Sequence, residues 1–241
     1  MIVLSLFTGL GLLDMGFREA GFTVLRGPDL LWAWDIRGFN ANPLQGKVDG
    51  VIAGVPCQYA SAAVRKKNRC KYPNLWPEFF RVVDEVEPRW ALAECVPGAK
   101  RDVPSWTWDA EIVDFSLLGS AQKRKRLIAW SGPSIFWKNL RDNGEKWGRE
   151  WREKVGRKVA LGRYRTIHGD AFISRSGKKE RGRRLDYEEV LDAFDLSPDW
   201  RLPEFAEINR RSTCKMLSQG VPVAAAYALA MAVKEAQDGT K

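Results

Sequence analysis

Cys57 is the residue placed to do chemistry. It lies in Gly54-Val55-Pro56-Cys57-Gln58, a proline turn directly after the apolar run 48–53. Such a run, punctuated by Asp49-Gly50 before it and Gly54 and Pro56 after it, reads as a buried parallel strand ending in a loop. Open α/β sheets bind their ligands at the carboxyl ends of strands, so this thiol sits at the reactive edge of such a sheet. A cysteine alone says little, because most free cysteines are buried and behave as small hydrophobes. Glu94 closes a second apolar run, 90–95, in line with Cys57 across a parallel sheet. A carboxylate there is costly unless it has a partner or a task. Gln122, Arg124 and Arg126 alternate in extended backbone and so share one face. A thiol that can attack, a carboxyl that can hold a proton and guanidiniums that can stabilise negative charge are the groups of nucleophilic catalysis.

The elements that must carry these groups follow from the pattern. The run 2–7, the turn Thr8-Gly9-Leu10-Gly11, and Leu13, Phe17 and Ala20 at helical spacing read as strand, glycine turn and helix. Glycines there let backbone approach a ligand, and the helix start adds unpaired amides and a positive dipole end. A second strand over 22–25 leads to Asp29, placed where a carboxylate accepts from ribose hydroxyls. Asp35 follows in Trp34-Asp35-Ile36-Arg37; both acids can equally be plain loop aspartates. Residues 61–73 are polar and basic, with Arg65-Lys66-Lys67 and Arg69. Asn74 then caps a helix burying Leu75, Phe79, Val82, Val83 and Val86, which Pro88 ends. Strands are expected over 90–95, 111–118 and 126–130, and the fold class is a doubly wound, mostly parallel α/β sheet.

From Gly132 the pattern changes. Trp137, Leu140, Trp147, Trp151 and Val155 suggest two short helical pieces broken at Asp142-Asn143-Gly144, with the tryptophans forming a mini-core rather than stacking platforms for bases. A helix beginning at Asp186, with Glu189 as capping partner, and a last helix over 223–236 close the chain. The expected organisation is a domain of residues 1–131 and 187–241 interrupted by a small insert, 132–186.

Charge follows the same division. Residues 1–137 carry +3, residues 138–184 carry +10 from 16 Lys and Arg against 6 Asp and Glu, and residues 185–241 carry −4. A concentrated basic block is the footprint of a phosphate-binding surface, though it can be only a solvated face. No apolar run reaches the roughly 18 residues of a membrane span, and the start Met-Ile-Val-Leu-Ser lacks the basic region of a signal peptide. Cysteines at 57, 70, 95 and 214, without a Cys-x-x-Cys pair and with His168 the one histidine, suggest neither a zinc site nor a disulfide framework. A reduced, cytoplasmic setting and no metal are expected.

Gly-x-Pro-Cys-Gln with Ser61 behind it resembles the nucleophile motif of the carbon-5 cytosine DNA methyltransferases, and further stretches resemble that family in its order from Ile2 to about Val233. Phe7-Thr8-Gly9-Leu10-Gly11-Leu12 is similar to its Phe-x-Gly-x-Gly-Gly cofactor loop, with Leu12 in place of the last glycine. Glu94-Cys95-Val96 is similar to Glu-Asn-Val, with Cys95 in place of the asparagine, and Gln122-Lys123-Arg124-Lys125-Arg126 to Gln-x-Arg-x-Arg. Ser218-Gln219-Gly220-Val221-Pro222 stands where the family has Gly-Asn-x-Val-Pro. The resemblance implies S-adenosylmethionine as methyl donor, held by Phe7, Thr8, Gly9, Gly11, Leu12, Asp29, Asp35, Ile36, Pro56, Gln219 and Val221. It implies catalysis by Cys57, Glu94 and Arg124 with Gln122 and Arg126, and a basic loop at 61–73 that closes over DNA.

The implied reaction is addition of the Cys57 thiolate to carbon 6 of a cytosine flipped out of duplex DNA, with Glu94 on nitrogen 3 and Arg124 on the ring oxygen. A small insert would act as the target recognition domain of a monomeric, phage-like or orphan methylase of restriction-modification type. Two alternatives share the motifs: a transfer-RNA cytosine-5 methyltransferase, and a non-enzymatic nucleic-acid binder, suggested by Leu12, Cys95 and Gln219.

Overall fold

Val3 and Leu4 are both buried although adjacent in sequence, as are Val51 and Ile52, Ala91 and Leu92, and Leu127 and Ile128. Strand side chains alternate between faces, so such pairs require a sheet covered on both sides. The computed structural model describes residues 1–62, 64, 66–157, 161, 164–165, 167–168, 172–173, 187–200 and 216–239. In chain order these form β1 (Ile2–Leu6), α1 (Leu12–Glu19), β2 (Thr23–Arg26), β3 (Gly50–Gly54), α2 (Lys66–Arg69), α3 (Trp76–Val86), β4 (Trp90–Cys95), β5 (Asp109–Asp114), β6 (Gln122–Lys123), β7 (Lys125–Ser131), α4 (Ile135–Lys154), β8 (Tyr164–Arg165), β9 (Ile167–His168), β10 (Phe172–Ile173), α5 (Tyr187–Ala193) and α6 (Val223–Asp238).

Six strands make one sheet in the order β2, β1, β3, β4, β7, β5. The first four are mutually parallel, and β7 runs antiparallel to both β4 and β5. The doubly wound, mostly parallel architecture expected from the sequence is the one observed. One face carries Val3, Ile52, Leu92 and Ile128 against α1, α4 and α6. The other carries Leu4, Val51, Ala91 and Leu127 against α3. Phe17 of α1 is fully buried against Phe22 and Trp90, with ring centroids 5.1 and 6.2 Å away. Truncating it to alanine is expected to cost about 3 to 5 kcal/mol.

Three expectations are corrected. The strand expected over 111–118 stops at Asp114, whose carboxylate accepts from the Ser116 amide and starts a 3-10 turn, Phe115–Leu118. Asn74 does accept from the Trp76 amide, at 3.1 Å, but Leu75 is the residue flanking the helix. Asp142-Asn143-Gly144 breaks nothing, because α4 is continuous for 20 residues. The glycines are there for proximity: a Cβ on Gly144 would lie 2.7 Å from Leu118 Cδ2, and one on Gly148 would collide with the Leu118 carbonyl. Tertiary packing against the 115–118 turn overrides a helix cost of roughly 1 kcal/mol per glycine.

The tryptophans of α4 are corrected with it. Trp137 and Trp147 join Trp130 and Phe136 in the core of the main sheet rather than forming a separate one, and Trp151 packs with α5 and α6. The described cations of this stretch are engaged as well. Lys138 pairs with Asp142, Arg141 with Glu111, Lys146 with Glu150, Arg149 with Glu145, and Lys154 with Glu19. Most of the segment 157–184, all of 201–215 and Asp186 lie outside the described residues.

Candidate active site

Parallel pairing of β3 and β4 sets Gly54 opposite Glu94, so the Cys57 turn and Glu94 leave the sheet at the same edge. The two strands stay joined beyond that pair: the Val55 amide donates to the Glu94 carbonyl at 3.0 Å, and the Cys95 thiol donates to the Val55 carbonyl at 3.5 Å. Cys95 thus reaches the Cys57 loop itself. Because β7 is antiparallel to β4, its start arrives at this edge too, and Arg126 Nε lies 2.9 Å from Glu94 Oε1. Arg124 is 2 % exposed; its Nη1 donates to the Ser218 carbonyl at 3.0 Å and to Gln122 Oε1 at 3.3 Å. The ion pair to Glu94 therefore belongs to Arg126. The buried, exposed, buried, exposed, half-buried series from Gln122 to Arg126 follows the expected alternation.

Burial raises the Glu94 carboxyl above the ordinary carboxylate range, against the pull of Arg126 and Arg124. Burial, and then Glu94, also raise the Cys57 thiol, while Arg126 and Arg124 lower it. Arg124 is drawn down to about 9 by burial and by Arg126, and keeps its charge at neutral pH. The resting site thus holds a neutral thiol beside the Glu94 carboxyl and two guanidinium cations. Its positive balance favours the step at which negative charge develops.

At the neighbouring strand end, Phe7, Gly9 and Gly11 all have positive φ, at 54°, 52° and 78°. The Gly9 amide donates to Asp29 Oδ2 at 2.8 Å, while Asp29 Oδ1 accepts from the Leu31 amide. Asp29 is therefore at the glycine loop, where it holds the turn, and a carboxylate has lone pairs to spare for a ribose. Buried Thr8 Oγ1 has no hydrogen-bond partner among the described residues, which leaves a donor and acceptor at the loop for a ligand. These groups fit a nucleoside bearing hydroxyls and a charged tail. Leu12 is buried beside Gly220, where a Cβ would lie 2.6 Å from Leu12 Cδ1. The closing segment thus packs on the glycine loop and, through Ser218, on Arg124.

Other residues implied by the resemblance stand apart. Asp35 is gripped by Arg37, with Nη2 2.5 Å from Oδ2, and its hydrogen bonds among the described residues run to Arg37. Ile36 is a core side chain packed under the sheet, and Val221 is buried in the core of the opposite face. Gln219 is exposed and Pro56, next to Cys57, is half-buried. Arg65 lies outside the described residues, as do the side chains of Lys66 and His168.

Two groups escape a reading by motif. Asp14, fully buried in the first turn of α1, accepts from Ser5 Oγ at 2.5 Å and from Arg26 Nε at 3.2 Å, bracing the glycine turn from below. An acid on the apolar side of that helix is the signal that could have revealed it. Asp195, also fully buried, accepts from Ser120 Oγ, the Ala121 amide and Arg152 Nη1, and Ser120 Oγ accepts in turn from the Gln122 amide. It fixes the strand that carries Arg124.

No helix among the described residues is long and apolar enough to cross a membrane, and none of their His, Cys, Asp and Glu side chains group to hold a metal ion. Residues 32–132 match the C-5 cytosine-specific DNA methylase family. The Type II methyltransferase M.FnuDI of Fusobacterium nucleatum is 32 % identical over 114 residues, covering 41 % of this chain and 33 % of the relative. M.NgoPII of Neisseria gonorrhoeae is 30 % identical over 115 residues, covering 41 % and 34 %. The chain spans about a third of the length of these relatives. Among solved structures, an E. coli prophage-encoded protein described as a DNA modification methyltransferase superposes with a TM-score of 0.62 at 16 % identity, over 99 % of both chains. Spodoptera frugiperda DNMT2 gives 0.63 at 13 % identity, over 97 % of this chain and 99 % of that one. These likenesses show a shared fold. The stretch matched by the C-5 cytosine-specific DNA methylase model, residues 32–132, is the one that carries Cys57, Glu94, Arg124 and Arg126.

Proposed function

We propose that this protein methylates carbon 5 of cytosine in duplex DNA. The observation that carries the reading is the convergence of Cys57, Glu94 and Arg126 at the carboxyl edge of β3 and β4, with Arg124 buried beside them. Carbon 5 of cytosine is a weak nucleophile until a thiolate adds to carbon 6 and turns the ring into an enamine. Cys57 makes that bond. Its thiol is neutral at rest, so its proton passes to solvent water as the base docks, and the Arg124 and Arg126 charges stabilise the anion that results. Glu94, held toward its protonated form by burial, donates to nitrogen 3 as electrons move into the ring. Arg124 faces the ring oxygen.

S-adenosylmethionine, when bound, supplies the electrophilic methyl group. Thr8, Gly9, Gly11 and Asp29 are the residues that would hold it. Loss of the carbon-5 proton then expels Cys57. The target base must leave the duplex, which costs a few kcal/mol that phosphate contacts offset. Because the cations of α4 are paired within the protein, we assign those contacts and sequence choice to the remainder of the proposed insert, 158–184, whose Lys and Arg outnumber its Asp and Glu.

The test supplies labelled S-adenosylmethionine with duplex DNA and, separately, with transfer RNA. Label on carbon 5 of DNA cytosine supports the reading. Label in RNA alone would replace DNA with the transfer-RNA alternative, and binding without label would favour the non-enzymatic one.

A further inference from the structure

Asp102 has no part in the chemistry proposed above. It ends the turn Pro97–Asp102 that follows the Glu94 strand, and its side chain is 19 % exposed. One carboxylate oxygen, Oδ2, accepts from the Tyr59 hydroxyl at 2.8 Å, and the other, Oδ1, accepts from Asn74 Nδ2 at 3.1 Å. Tyr59 stands two residues after Cys57, and Asn74 stands at the head of α3. Between them runs the whole basic segment 60–73, with Lys67, Arg69 and Lys71. A single side chain thus holds both ends of that segment.

A second contact closes the same base. Gly98, in the turn that carries Asp102, lies so near the nucleophile loop that a Cβ there would be 2.8 Å from the Ala60 carbonyl oxygen. The Ala60 amide in turn donates to the Cys57 carbonyl at 3.1 Å. Burial, then Asp102, raise the Tyr59 hydroxyl, so it remains a donor throughout the neutral range. Within the segment, Arg69 Nε donates to the Val64 carbonyl at 3.2 Å and the Tyr72 amide to the Arg69 carbonyl at 3.1 Å. The segment is folded on itself and fastened at its root.

We propose that Asp102 is a positioning residue: it pins both ends of segment 60–73, so that Cys57 and the cations of that segment meet the nucleic acid as one unit. The proposal rests on the reading of Cys57 as nucleophile. Ordering a loop before its ligand arrives removes part of the entropy that binding would otherwise lose.

Three variants of the full chain test it: Asp102→Asn, Tyr59→Phe and Asn74→Asp. The last keeps the oxygen that accepts from the Trp76 amide, and turns the donor facing Asp102 into a second carboxylate. Brief trypsin treatment, with cuts after Lys67, Arg69 and Lys71 mapped by mass spectrometry, reads how firmly the segment is held. Each variant is expected to be cut there roughly tenfold faster, the consequence of one lost hydrogen bond. The rate of covalent capture of 5-fluorocytosine DNA at saturating DNA falls by a similar factor, while affinity for S-adenosylmethionine is unchanged. Unaltered cutting in all three variants would overturn the proposal. So would cutting that rises equally across the chain together with lost cofactor binding, since Asp102 would then be serving the fold at large. If even the unaltered protein captures no DNA, the reading of Cys57 fails, and the trypsin comparison still decides whether Asp102 pins the segment.

Discussion

Two of the buried carboxylates that sit beside arginines in this protein, Glu94 at the sheet edge near Cys57 and Asp195 some way along the chain, are treated in opposite ways. Asp195 takes donors from Ser120, the Ala121 amide and Arg152, and its own carbonyl accepts from Trp151 Nε1. Arg152 is itself 3 % exposed. Glu94 is paired through Oε1 with Arg126, beside a thiol whose proton it helps to retain. One cluster has its capacity used within the protein. The other keeps capacity for a partner the protein does not supply, the mark of a site rather than a clasp.

The comparison breaks most sharply at Asp195. Asp195→Ala strands Arg152, Ser120 and the Ala121 amide, and should lower stability by about 3 to 5 kcal/mol; denaturant titration reads it. A loss below roughly 1 kcal/mol would mean the cluster is no clasp. Burial drives Asp195 up to about 6. Since that value is raised, its contribution to stability is full below the ordinary carboxylate range and is lost as pH rises through about 6. Asp195→Asn should therefore flatten the pH dependence of unfolding between pH 4 and 7.

Glu94→Gln should show the reverse profile. Methyl transfer is expected to fall on the order of 10²-fold or more, as for a lost general acid, while the unfolding midpoint holds, because a neutral amide of the same shape replaces a carboxyl that burial already pushes toward its neutral form. Parallel losses of stability and rate would erase the distinction between the two carboxylates. A smaller effect belongs to Asp29. Asp29→Ala removes the acceptor of the Gly9 amide and should weaken S-adenosylmethionine binding by about 1 to 3 kcal/mol, read by calorimetry. Smallest is the resting reactivity of Cys57: in the free protein its alkylation should gather pace at higher pH than that of an ordinary exposed cysteine, measured by mass spectrometry across a pH series.

What could be read from the sequence was whatever is written locally. The glycine turn, the Cys57 loop and Glu94 each follow a short apolar run, and strand ends of a parallel sheet share an edge by construction. Gln122, Arg124 and Arg126 could be assigned to one face from alternation alone. The misreadings come where distant packing outvotes a local signal. Asn143-Gly144 is a turn signal in isolation, yet Leu118 needs the space those glycines leave and α4 runs straight through. Ser120, Arg152 and Asp195 come from three separate stretches, and no spacing rule connects them. Likewise, Asp102 meets Tyr59 and Asn74 only after the sheet has formed.

The central claim is that Cys57 forms a covalent bond to carbon 6 of the target base. It is tested most directly with duplex DNA carrying 5-fluorocytosine, where fluorine replaces the proton whose loss would free the thiol. With S-adenosylmethionine present, the unaltered protein should give a denaturation-resistant adduct whose peptide map places the DNA on Cys57. Cys57→Ala should bind cofactor and DNA yet form none, and Cys70, Cys95 and Cys214 should be dispensable. An adduct on another cysteine, or methyl transfer by Cys57→Ala, would contradict the account.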